Sequence, residues 1–183
     1  MYSSEQRQLL KAIARASIEY GLENNQPLIV DLTTIPQQLK QVRASFVTLE
    51  KDHHLRGCIG TLEAYRPLAQ DIADNSFAAA FTDHRFPPVI AKELDNISIH
   101  ISILNPTEPI ICHTESELKQ QLRPNIDGLI IDDGFHKATF LPSVWESLPN
   151  TTDFIDQLKI KAGLPADYWS HDIKAFRYTT ESF

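Results

Sequence analysis

Between Asn96 and Asn105 the chain reads NISIHISILN. Isoleucine stands at 97, 99, 101 and 103, with Ser98, His100 and Ser102 between them. A period of two held over eight residues describes a strand with one apolar and one polar face. Two other segments read as helices. Residues 4 to about 20 repeat apolar or small residues at three and four, in Leu9, Leu10, Ile13, Ala14 and Ser17, and Ser3 and Gln6 have capping-box spacing. Gly21 is the expected stop of this helix. The second segment, PLAQDIADNSFAAAFTD, opens at Pro67, where a missing N–H costs nothing. Its alanines at 69, 73, 78, 79 and 80 allow another element to approach closely.

The remaining strands come in hairpins. Residues 44–51 and 55–60 flank the turn Asp52–His54. Asp127-Gly128 and Asp133-Gly134 bracket LIID, and HKATFLP reads as its partner. Thr114 and Glu117 predict a helix over 115–122, and Pro142 starts another short one. TDFIDQLKIKAGL is a helix with Gly163 near its end and Lys159 and Lys161 in its last turns, which suits the macrodipole. DIKAFRYTTESF reads as one final strand. Hairpins outnumber strand–helix–strand units, so the fold class is α+β with mainly antiparallel sheet and flanking helices. A chain of 183 residues fits one domain, 1–183, or one domain with a lobe added.

Several classes of function lose support. Cys58 and Cys112 lie far apart and no C-x-x-C occurs, which argues against a zinc ribbon or a dithiol motif. The N-terminus has no apolar signal core and no run of 18 apolar residues exists, so the expectation is a reducing cytoplasmic setting with free thiols and no membrane span. Seventeen basic residues against 24 acidic, net −7, form no basic cluster, which argues against a nucleic-acid partner. No G-x-G-x-x-G, P-loop or G-x-S-x-G pattern occurs, and the seven histidines lack metal-ligand spacing. No cofactor and no metal is indicated. His100, on the polar side of its strand, reads as a structural histidine.

The chemistry-bearing stretch is LRGCIG, Leu55 to Gly60. Regular alternation places Arg56, Cys58 and Gly60 on one face, and Leu55, Gly57 and Ile59 on the other. Arg56 and Cys58 would then have Cα atoms about 6.5 Å apart, twice the strand rise. A guanidinium that close favours a thiolate, and Gly60 would leave bare backbone for a ligand. The alternative is packing: free cysteine behaves as a small buried hydrophobe, and glycines mark bulges. A second candidate is the corner Asp83-His84-Arg85 before Phe86-Pro87-Pro88. It is either a rigid charged corner that orients a ligand or partner, or a helix-end arginine paired with Asp83 at little gain. Asn75 lies on the polar side of the preceding helix with Asp71.

FVTLEKDHHLRGCIGTL, NSFAAAFTDHRFPPV, ISIHISILNPTEPI, DGLIIDDGFHKATFLPSVW and FIDQLKIKAGLP follow one another in the order of a known pattern. From about Phe46 to Phe183 the chain resembles the AMMECR-type domain family, whose bacterial and archaeal members are called AmmeMemoRadiSam system protein A. Arg56, Gly57, Cys58 and Gly60 match its signature, and Asn75, Asp83, Arg85 and Pro88 its second block. Ser76 departs mildly, standing where an alanine is usual. The resemblance implies a larger lobe with a smaller lobe packed on it and a site in the cleft beside the signature. It also implies Memo-like and radical-SAM proteins as partners, and it carries no reaction with it. Two readings of function follow. In one, the chain is a binding module for a small ligand or a partner's peptide or loop, using Arg56, Gly57, Gly60, Asn75, Asp83 and Arg85. In the other, it is a small enzyme or enzyme subunit with Cys58 as an activated thiol. An RNA-associated role is a third, against which the net charge argues.

Overall fold

The computed structural model describes all 183 residues, Met1–Phe183. In chain order the elements are α1 (Ser4–Asn24), β1 (Ser45–Lys51), β2 (His54–Gly60), α2 (Leu68–Phe81), β3 (Ile97–Leu104), β4 (Glu108–Ile110), α3 (Glu115–Gln121), β5 (Gly128–Asp132), β6 (Lys137–Phe140), α4 (Thr151–Lys161), β7 (Lys174–Tyr178) and β8 (Thr180–Ser182). Short 3-10 segments lie at Gln37–Lys40, Ala91–Asn96 and Pro142–Glu146. The chain forms two compact units, Met1–Leu104 with Glu181–Phe183, and Asn105–Thr180. Two four-stranded sheets, ordered β2-β1-β3-β8 and β4-β7-β5-β6, confirm the α+β class with antiparallel pairing.

In the larger unit the alternation of β3 does what its period requires. Ile97, Ile101 and Ile103 are buried with Val47 and Leu49 of β1, against Leu10, Ile13, Ala14 and Ile18 of α1 and Leu68, Ile72 and Ala73 of α2. Burial of one such isoleucine or leucine contributes about 2 kcal/mol, so this shared seam holds helix and sheet together. The Ser3–Gln6 capping box starts α1. The helix then runs through Gly21 and ends at Asn24, with Asn25 taking the left-handed cap (φ 54°). Gly21 is an interior contact instead of a stop: a Cβ there would lie 2.5 Å from the Phe81 ring and 2.7 Å from that of Phe77. Asp52 and His53 both have positive φ (52° and 62°), the two-residue turn whose twist suits a hairpin.

The smaller unit has its own core, in which Trp145 stacks on Phe154 at 3.8 Å among Leu129, Ile131, Ile155 and Leu158. Two features differ from the sequence expectation. The final segment is two strands in different sheets: Tyr178 pairs with Gly128, whereas Phe183 exchanges backbone hydrogen bonds with Ile101. Strand β4 carries no sequence signal, being three residues long and containing Pro109, a residue tolerated because β4 is a sheet edge.

Candidate functional site

The glycines of LRGCIG are packing residues. A Cβ on Gly57 would sit 2.1 Å from the Ala79 carbonyl oxygen, so α2 lies directly on β2 at this point. A Cβ on Gly60 would meet the Phe46 ring at 2.2 Å, because Phe46 pairs with Gly60 across the strands and lies over it. Gly60 is therefore covered by an aromatic ring and is not the bare approach that alternation implied.

Arg56 does not share a face with Cys58 in the expected way. The β1–β2 register shifts at Leu49/Glu50: Leu49 opposes Gly57 while Glu50 opposes Leu55, leaving Arg56 as the extra residue of a bulge. Its side chain is buried and forks onto Glu93, Nε to Oε1 at 3.2 Å and Nη2 to Oε2 at 2.9 Å. Lys51 donates to the same carboxylate at 3.0 Å, as does the Ile90 N–H at 3.2 Å. The Arg56 hydrogen bonds, aided by Lys51, hold the Glu93 carboxyl down at about 2 against the cost of its burial. The remaining Arg56 Nη1 is buried and donates to no protein atom.

Arg85 is the arginine that reaches Cys58. Strand β2 is a sheet edge, so one side of its backbone lacks a neighbouring strand. At Cys58 that side is filled from the corner after α2. The Asp83 carboxylate accepts from the Cys58 N–H at 2.9 Å, and Arg85 Nη2 donates to the Cys58 carbonyl at 3.2 Å. Asp83 also accepts from Arg85 Nε at 2.9 Å and Nη2 at 2.7 Å. The Arg85 fork and the Cys58 N–H hold the Asp83 carboxyl far below the usual carboxylate range, although the residue is buried. The same pairing raises the Arg85 pKa, with a smaller contribution from the nearby Cys58. The Arg85 side chain is 56% exposed, and its Nη1 is left without a protein acceptor. With its amide directed at Asp83, Cys58 forms a non-hydrogen-bonded pair with Thr48, the arrangement that brings side chains closest. Thr48 Oγ1 and Cys58 Sγ lie 3.2 Å apart. His100 opposes Thr48 on the far side of β1, two strand spacings or roughly 10 Å from Cys58, and its Nε2 is 3.3 Å from Glu50.

Asn75 belongs to a separate buried network. Its amide donates to the Ser45 carbonyl at 3.0 Å and to Asp71 at 3.0 Å, while Asp71 also accepts from Ser45 Oγ at 2.6 Å, Thr61 Oγ1 at 3.0 Å and Arg66 Nε at 2.8 Å. Arg66 also pairs with Asp74. These bonds fasten the start of α2 to β1. Ser76 is absorbed the same way, its hydroxyl donating to the Ile72 carbonyl at 2.6 Å. The structure thus gathers Cys58, Asp83 and Arg85 at one place, turns Arg56 to Glu93, commits Gly57 and Gly60 to packing, and ties Asn75 into the hydrogen-bond network of Asp71. Thr48 and Glu93 were missed by sequence reasoning, Glu93 because its partner is 37 residues away. Thr48 was legible in principle from counting back across the hairpin turn. No three His, Cys, Asp or Glu side chains are placed to hold a metal ion, and no helix is long and apolar enough to cross a membrane.

The fold is an α+β chain with two antiparallel four-stranded sheets, and known proteins resemble it along nearly its whole length. The AMMECR1 family model matches residues 11–183, and the chain belongs to that family. A protein of Methanothermobacter thermautotrophicus is 34% identical, over 99% of this chain and 95% of its own length. One from Thermotoga maritima is 40% identical over 82% and 83%. The crystal structure of the uncharacterized protein PH0010 from Pyrococcus horikoshii superposes with a TM-score of 0.91 at 31% identity, covering 98% of this chain and 91% of that one.

Proposed function

We propose that this chain is a binding module whose Cys58–Asp83–Arg85 corner receives a hydrogen-bond acceptor, a carboxylate or main-chain carbonyl, from a small ligand or a peptide loop of a partner. The observation that carries the reading is the state of Arg85. Asp83 and the Cys58 carbonyl fix its fork, yet more than half of the side chain faces solvent with Nη1 free to donate. A guanidinium held in advance loses little rotamer freedom on binding. A Memo-like or radical-SAM protein of an AmmeMemoRadiSam-type system is the proposed partner.

The second reading, an enzyme or enzyme subunit using Cys58, draws on the thiol's position beside Thr48 Oγ1 and near Arg85. It lacks a base in contact with sulfur, which nucleophilic catalysis ordinarily uses. One experiment separates the two. Immobilised wild-type chain should retain a Memo-like or radical-SAM protein, Cys58→Ser should retain it equally, and Arg85→Glu should lose it at least tenfold, the effect of one charge-assisted contact. Equal retention by Arg85→Glu, or no retention by wild type, overturns the module. Alkylation of folded Cys58 faster than that of an unfolded control, together with loss of retention in Cys58→Ser, transfers the function to the thiol.

A further inference from the structure

The smaller unit contains a cavity of about 340 Å³, lined by Asn105, Pro106, Glu108, Arg123, Arg177, Tyr178 and Thr179. That volume lies at the low end of small-ligand pockets. Two arginines reach it from different elements: Arg177 from β7 and Arg123 from the segment after α3. Their carboxylate partners differ in kind. Asp127 is fully buried and grips Arg123 through both oxygens, with Nη2 to Oδ1 at 2.6 Å and Nε to both oxygens at 3.1 Å, and it also accepts the Arg123 N–H at 2.9 Å. Glu108 is 66% exposed and holds Arg177 by one contact, Nε to Oε2 at 3.1 Å. The first pair is architectural. The second, exposed and single-contact, is the kind that contributes little and exchanges readily. Arg177 Nη1 reaches only the Gln121 carbonyl at the long distance of 3.5 Å, and neither Arg177 Nη2 nor Arg123 Nη1 has a protein acceptor.

We propose that this cavity is a site for a small oxyanion, a carboxylate or phosphate group held between Arg177 and Arg123, and that Glu108 occupies the anion position when the site is empty. Guanidinium forks match both groups bidentately, and Glu108 in its place on Arg177 marks where a ligand oxygen sits. Binding swings the Glu108 side chain into solvent and leaves Asp127 untouched. The site is independent of the Arg85 corner.

Isothermal titration of the full chain with inorganic phosphate, and separately with succinate, tests this. At least one probe should bind saturably, and which one does identifies the phosphoryl or the carboxylate source. Arg177→Gln should weaken binding roughly tenfold, the effect of losing a charged donor. Glu108→Gln should tighten it roughly threefold by removing the internal competitor. Since Glu108 is mostly exposed, that variant folds even if Arg177→Gln does not. Absence of saturable binding by both probes, unchanged binding in folded Arg177→Gln, or a failure of Glu108→Gln to tighten it overturns the proposal.

Discussion

Gly57 and Gly60 look equivalent in LRGCIG, yet they meet different kinds of obstacle. The obstacle at Gly57 is the Ala79 carbonyl, part of the α2 backbone, which moves only if the whole helix moves. The nearest obstacle at Gly60 is the root of the Phe46 ring, Cγ at 2.2 Å, with the Ser45 carbonyl oxygen of the β1 backbone at 2.5 Å beside it. Overpacking costs most where the neighbour cannot yield. Gly57→Ala and Gly60→Ala should therefore each lower unfolding free energy by about 3 kcal/mol, read from urea midpoints. A loss below about 1 kcal/mol at either position would show that its neighbours yield. The residue types of the site were legible in the sequence, and so was the Asp83–Arg85 pairing two residues apart. The bulge was not: a single extra residue turns Arg56 from Cys58 to Glu93, and nothing local in LRGCIG announces it.

At the level of elements, that bulge ties the β1–β2 hairpin to the 3-10 segment Ala91–Asn96 through Arg56, Glu93 and Lys51. The tie depends on pH in a definite direction. The Glu93 carboxyl titrates at about 2 when folded, below its ordinary value of 4.5. The unfolded chain therefore takes up the proton first on acidification. The contribution is fully present above about pH 5 and is lost as pH falls towards 2. Glu93→Gln should cost about 3 kcal/mol at neutral pH, because it leaves Arg56 buried without its counter-charge. Its stability should then vary less than wild type's between pH 5 and 2 in thermal unfolding. Parallel curves for the two proteins would remove Glu93 as the source. The elements themselves were mostly visible beforehand, since capping boxes, hairpin turns and the isoleucine alternation are short-range signals. The run of α1 through Gly21 and the three-residue β4 were not, because each depends on what packs beside it.

For the whole molecule, the two units have separate cores and separate reporters. Both tryptophans, Trp145 and Trp169, lie in the smaller unit, and Trp145 is buried with its indole N–H donating to the Asp127 carbonyl at 2.7 Å. The longest helices, α1 with 21 residues and α2 with 14, lie in the larger one and dominate far-UV circular dichroism. Chains with two cores depart from a single two-state transition. Gly57→Ala should therefore lower the urea midpoint seen by circular dichroism more than the midpoint seen by tryptophan fluorescence. Coincident shifts would mean that the units unfold as one.

The sequence by itself determined the class of fold, since hydrophobic period and turn chemistry are carried by residues within a few positions of one another. It also determined the family, which rests on the order of its blocks. Only the tertiary structure decided which arginine stands by Cys58, why the glycines are glycines, and where the last strand changes sheets. Those outcomes turn on contacts between residues tens of positions apart, and on one-residue shifts of register that reverse which face a side chain occupies.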